Sequence, residues 1–308
     1  MAQVLLINVD SRIPNLALMK LSAYHKSIGD EVGFNVTNPD KVYASVIFKR
    51  NRHKTDGLQF FYPDAEINIG GTGYNLNSRI PIPETHEGNG GDRTFPDYSL
   101  YDMDYDLGFT SRGCIRNCYF CVVPKKEGKF RQVQHPREFH DPKHRKAVYL
   151  DNNILASKDW FFEVTDWILE NDMQIDFNQG LDIRLLTEEV AERLHVMRPL
   201  KPWKFAYDQS ESKAAVRDGI ETLKNAGIQV KNDCLFYVYV HDDSQFEDGL
   251  RRCEDLRSWR ANPYVMLNMD APRTQRMTNL KRWCIPQIFW TCEFMDYARE
   301  YRSVESIK

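Results

Sequence analysis

Three cysteines, Cys114, Cys118 and Cys121, lie in the run Arg112-Gly113-Cys114-Ile115-Arg116-Asn117-Cys118-Tyr119-Phe120-Cys121, a C-x3-C-x2-C spacing. Thiolates are the soft ligands that iron–sulfur sites select, and three so close along the chain can wrap three corners of a cubic cluster. No fourth cysteine stands at comparable range. A cluster held by three protein thiolates leaves one iron open to a ligand that is not protein. Zinc is the competing reading, with a histidine or aspartate as its fourth ligand. Zinc sites usually come as paired hooks, and no second hook lies at typical spacing. Three ordinary core cysteines are the plainest reading.

Further polar groups stand where apolar runs end. Asp151-Asn152-Asn153 follows Tyr149-Leu150, placed to hydrogen-bond a ligand or simply to make a turn. Arg184, in Gly180-Leu181-Asp182-Ile183-Arg184, offers a bidentate fork to a carboxylate, or pairs with Asp182. In Tyr207-Asp208-Gln209-Ser210-Glu211, Asp208 or Ser210 can accept from hydroxyls, while Ser210 is equally suited to cap a helix. Arg112, Arg116, Lys125, Lys126, Lys129 and Arg131 surround the cysteines. They would stabilise an anionic cluster and draw an acidic electron donor, or they form a solvated basic face. Cys234, Cys253, Cys284 and Cys292 are scattered, only the last two being near each other in sequence, and read as free cysteines in the core.

The elements that must position these groups alternate between strand and helix. Val4–Val9, Glu31–Val36, Val42–Phe48 and Ala65–Ile69 read as strands, with a helix over Leu16–Ile28 closed by Gly29. Such alternation implies a parallel sheet, here a small Rossmann-like layer over residues 1–75. Residues 76–106 are rich in Pro, Gly, Asn and Asp, centred on Gly88-Asn89-Gly90-Gly91-Asp92, and read as a linker or an ordered loop. From 107 to 270, strands are expected at Leu107–Ser111, Ala147–Leu150, Gln174–Asn178, Lys204–Tyr207, Leu235–Val240 and Tyr264–Leu267. Helices are expected at 158–170, 187–197, 211–226 and 245–259. Six such units are too few for a closed eight-stranded barrel and suit a partial (βα)6 barrel. Residues 271–308 form a helical extension, with Leu280–Trp283 and Ile288–Trp290 packing over the open side. In parallel barrels chemistry sits at the carboxyl ends of strands, and the cysteine loop directly follows the first of these.

The 308 residues, 42% hydrophobic and 28% charged, are the composition of a soluble globular chain able to bury a core. The net charge of −3 gives no global push toward a nucleic-acid partner, although the local cations are compatible with a phosphate-bearing substrate. No apolar run is long enough to span a membrane, and the N-terminus lacks a signal-peptide pattern. An odd number of cysteines argues for a reducing cytoplasm.

The cysteine run, with the aromatic Phe120 before its last cysteine, resembles the signature of the radical S-adenosylmethionine (radical SAM) superfamily. With Gly70-Gly71, Arg112-Gly113-Cys114 and Val123-Pro124-Lys125-Lys126-Glu127-Gly128, the whole chain resembles its cobalamin-domain-type members. The resemblance implies a [4Fe-4S] cluster on Cys114, Cys118 and Cys121, with SAM on the open iron and reductive cleavage to a 5′-deoxyadenosyl radical. It implies adenine contacts from the backbone at Phe120 and from the platform around Val238, and places Asp151, Asn152 and Asn153 at the SAM amino group. Arg184 would meet a carboxylate of SAM or of the substrate, and Asp208 and Ser210 the ribose. It also implies a reductant such as flavodoxin or ferredoxin. Members that ligate cobalamin carry Asp-x-His-x-x-Gly after the first strand. Here that place reads Asp10-Ser11-Arg12-Ile13-Pro14-Asn15, and the first histidine is His25, which argues against cobalamin. Methylation, methylthiolation, rearrangement and dehydrogenation are all open as outcomes. The competing function is a zinc-stabilised nucleotide- or RNA-binding module without radical chemistry.

Overall fold

Apolar runs between turn residues become strands in this chain, and nearly all of them pair in parallel. The computed structural model describes residues 1–83 and 93–298; the Gly88–Asp92 run expected at the centre of a linker lies outside the described residues. The chain divides into two compact units, Met1–Ile154 with Asp159–Met173, and Leu155–Lys158 with Gln174–Lys308.

In the first unit β1 (Gln3–Asn8), β2 (Glu31–Gly33), β3 (Lys41–Ser45) and β4 (Glu66–Gly70) form a parallel sheet in the order β2-β1-β3-β4. The helix Leu16–Ser27 links β1 to β2 and starts at Asn15, whose side chain accepts from the N–H groups of Ala17 and Leu18. Such a cap satisfies donors that the first helical turn cannot satisfy itself. The helix is apolar on two sides. Leu18 and Leu21 pack with Val4, Leu6 and Tyr43 of the sheet, while Leu16 and Met19 pack with Tyr98, Leu107 and Leu150.

That second cluster includes Tyr98, from the stretch expected as a linker at residues 76–106. β5 (Asp106–Gly108) and β8 (Lys146–Tyr149), a parallel pair, belong to the same compact unit as the N-terminal sheet because one helix buries its two faces against both. Between them lies a short antiparallel hairpin absent from the sequence reading, β6 (Ser111–Arg112) with β7 (Arg131–Gln132). At the start of β5 the buried Asp106 pairs with Nδ1 of His140 (2.7 Å) and of His144 (2.8 Å).

In the second unit β9 (Gln174–Phe177) pairs with β10 (Arg198–Pro199), and β11 (Trp203–Ala206), β12 (Cys234–Val240) and β13 (Asn262–Leu267) form a parallel sheet. Along β12 Cys234, Phe236, Val238 and Val240 are buried in alternation, the period of a strand. Helices Glu188–Val196, Lys213–Asn225 and Phe246–Ser258 fill the connections. After β13 the helices Gln275–Trp283 and Pro286–Phe289 bring Trp283 against Phe289 and Phe294. The architecture is mixed α/β with parallel sheets, and the sheets are open among the described residues. No helix among them is long and apolar enough to cross a membrane.

Candidate metal centre

The three cysteines sit in the loop of the β6–β7 hairpin, just past the carboxyl end of β5. Gly113 opens the loop with φ +80°, and a Cβ there would lie 2.1 Å from the carbonyl oxygen of Lys129. The two arms of the loop therefore cross at a distance only glycine permits. The crossing is tied by Cys114 N–H donating to the Gly128 carbonyl at 3.1 Å. Cys121 N–H donates to the Cys118 carbonyl at 3.0 Å, a tight turn that brings these two residues together.

None of the three cysteines is in a disulfide, and all are half-buried. Arg116 N–H points at the Cys114 sulfur (3.3 Å) and Val123 N–H at the Cys121 sulfur (3.4 Å). Backbone donors aimed at sulfur favour thiolates and tune the potential of iron–sulfur groups. Soft donors on a loop so arranged fit a metal–sulfur group. Among the described residues no group of three or more His, Cys, Asp or Glu is placed to hold a metal ion.

The turn after β8 supplies the support. Asp151 is buried, and its carboxylate accepts from Thr110 N–H (3.1 Å), Thr110 Oγ1 (2.7 Å) and both the N–H and hydroxyl of Ser111. Burial pushes its carboxyl above the ordinary range, while the donors of Ser111 and Thr110 pull it back. Asn152 Oδ1 accepts from Gly113 N–H at 2.9 Å, and Asn153 Nδ2 lies 3.5 Å from the Cys114 sulfur. Asp151, expected at a ligand ammonium, instead faces inward and anchors the start of the cysteine loop. Phe120 is half-buried, edge-on to Tyr119 at 5.2 Å, and so is not a core aromatic. Among the cations, Arg112 pairs with Glu127 at 3.1 Å and lies over Phe109 at 3.9 Å.

In the second unit the fork of Arg184 is engaged by Asp182, at 2.6 and 3.1 Å, which is the plainer of its two readings. Asp208 accepts from Tyr239 N–H at 2.9 Å. Burial pushes its carboxyl up to about 6 against the pull of that N–H, Arg252 and Arg184. Ser210 is not the helix cap; its hydroxyl donates to Asp248, and Ser212 stands at the cap position. Val238 is buried at the centre of β12. The structure thus brings Arg184, Asp182 and Asp208 within electrostatic reach of one another.

Sequence reasoning missed Arg252. Its guanidinium is buried, donating to the carbonyls of Tyr207 (2.7 Å) and Tyr239 (2.9 Å), with Nε on Asp248 (2.9 Å). It clamps the ends of β11 and β12, and its only signal was an i,i+4 Asp–Arg pair on a helix. The pairing of the remaining cysteines also differs from their order in sequence. Cys284 lies against Cys253, the sulfurs 3.6 Å apart and buried, not against Cys292.

The fold and site together define an α/β chain with a thiol-bearing loop at a strand's carboxyl end. No protein-family model and no curated protein matches the chain.

Proposed function

We propose that the chain is a radical SAM enzyme, with Cys114, Cys118 and Cys121 holding a [4Fe-4S] cluster and SAM occupying its open iron. When bound, these groups supply the reductive cleavage of SAM to a 5′-deoxyadenosyl radical, which takes a hydrogen atom from a substrate. One observation carries the reading: three cysteines at C-x3-C-x2-C spacing sit at a strand's carboxyl end, on a loop buttressed by three consecutive residues of the turn after β8.

The chain's own residues then act as positioning groups. Asp151 fixes the start of the loop, Asn152 holds Gly113, and Asn153 touches the Cys114 sulfur. Asp208, following β11, and the backbone near Val238, within β12, are the candidates the resemblance offers for ribose and adenine. Six strands met in chain order, each parallel to a partner, support a partial (βα)6 barrel that follows a Rossmann-like layer in the sequence. Cations on the cysteine loop suit an acidic reductant such as flavodoxin or ferredoxin. The reading includes no cobalamin. Asp10, at the family's cobalamin position, accepts from the N–H groups of Ile47 (2.8 Å) and Phe48 (2.9 Å) and from Asn51, and His25 is buried against Asp30 and Tyr43.

Anaerobic reconstitution with iron and sulfide tests the proposal. A brown protein that forms 5′-deoxyadenosine from SAM and dithionite is expected, with Cys118→Ala losing both colour and cleavage. A colourless protein that binds one zinc and leaves SAM intact returns the chain to the zinc-stabilised binding module.

A further inference from the structure

Between Lys41 and Asp56 the chain has no acidic residue, while Lys49, Arg50, Arg52 and Lys54 place four positive charges there in a chain of net charge −3. They stand on the 3-10 turn Lys49–Thr55, beyond the carboxyl end of β3. In the order β2-β1-β3-β4 the chain leaves β1 first to one side and then to the other, and the carboxyl end at such a reversal is where parallel sheets receive ligands. All four side chains are exposed, and among the described residues none of them is in an ion pair. Asp10, held close by, turns its carboxylate to the backbone of Ile47 and Phe48 and so shapes the turn, which Asp56 closes at its far end.

Aromatic rings interleave with these cations. Arg50 lies over Phe48 at 5.2 Å and Arg52 over Tyr74 at 4.7 Å. On the next helical turn, Leu58–Phe61, Phe60 and Phe61 are 85% and 71% exposed and meet edge to face. The positive charge continues from Tyr74 toward the cysteines. Lys126 Nζ donates to the Leu76 carbonyl at 3.4 Å, and burial lowers its basicity, with Arg79 and Arg112 lowering it further against the pull of Glu127. Arg112 leads directly into Gly113 and Cys114.

We infer that this face binds single-stranded nucleic acid, its phosphates following the cations from Lys49–Lys54 past Arg79 and Lys126 toward the cysteine loop, its bases stacking on Phe60 and Phe61. Unpaired cations in a row suit a polyanion, and exposed rings take bases whatever their sequence. An anionic bilayer also attracts cations, but its hold grows with the apolar area of an amphipathic helix. Here that area is two rings on a four-residue helix. The inference makes nucleic acid the substrate class of the proposed enzyme and rests on that reading for the chemistry; the binding stands apart from it.

The test is anisotropy of a labelled single-stranded RNA oligonucleotide titrated with the full reconstituted chain over a series of salt concentrations. Charge reversal at Lys49→Glu, Arg50→Glu and Lys54→Glu, all exposed, should weaken binding at least about tenfold and flatten the salt slope by about two. Phe60→Ala with Phe61→Ala should weaken it about tenfold and leave the slope unchanged. Circular dichroism establishes that both variants fold. Equal affinity of the charge-reversed and native chains overturns the inference. So does an absence of RNA binding by a chain that pellets with phosphatidylserine vesicles. Cys118→Ala should bind RNA as the native chain does while failing to cleave SAM. Loss of RNA binding with SAM cleavage intact sinks this inference alone, and the reverse result sinks only the proposed chemistry.

Discussion

Single residues decide whether the cysteine loop can exist at all. Gly113 combines a left-handed backbone with a contact that a methyl group cannot share with the Lys129 carbonyl. Gly113→Ala should therefore cost about 3 kcal/mol and reduce the iron retained per chain after reconstitution. A native melting temperature with full iron content would count against the crossing. Asp208 gives a second, pH-resolved test. Its carboxyl is raised from 3.8 to about 6, so between those values the folded chain binds more protons than the unfolded one. Stability must then fall as pH rises across that window and stay at the lower level above it. Asp208→Asn, which can still accept from Tyr239 N–H, should be more stable than the native chain at pH 8 by about 2 kcal/mol. That gain should vanish near pH 4. Paired denaturant titrations at the two pH values check it; a pH-independent difference refutes the burial. The cysteine run was legible at this scale because residue type and spacing are local properties. The inward turn of Asp151 was not, because which way a carboxylate faces depends on donors forty residues away.

At the scale of elements, the strands and helices were readable nearly to their ends, since apolar period and stop residues are local properties. The helix expected at 158–170 is Lys158–Glu170, and the one expected at 211–226 is Lys213–Asn225. The β6–β7 hairpin escaped, because two-residue strands carry no periodicity. So did the clamp of Arg252 on β11 and β12, which joins residues far apart in sequence. The join between β8 and the cysteine hairpin is open to test. Asp151→Asn turns an NH2 toward groups that themselves donate, leaving at least one buried donor unsatisfied. It should cost about 2 kcal/mol in chemical denaturation, and the Asp151→Asn chain should lose iron faster to a chelator. An unchanged chelation rate would separate Asp151 from the loop.

For the whole molecule, the decisive element is the helix Leu16–Ser27, whose second apolar side joins the N-terminal sheet and β5 in one core. Met19→Ala and Leu107→Ala should each cost about 3 kcal/mol. As members of one cluster they should be non-additive in a double-mutant cycle by about 1 kcal/mol. Strict additivity would restore a boundary near residues 76–106. The local run Lys49–Lys54 was visible in the sequence but was lost in a net charge of −3, since a sum over the chain erases where its charges stand. By itself the sequence determined the α/β alternation and the spacing of the three thiols, because periodicity and spacing are written in neighbouring residues. Only the tertiary structure decided that Asp151, Asn152 and Asn153 buttress the cysteine loop, that Cys253 and not Cys292 meets Cys284, and that the two apolar sides of one helix merge what composition divides. Those contacts join distant segments, and burial, not spacing, selects them.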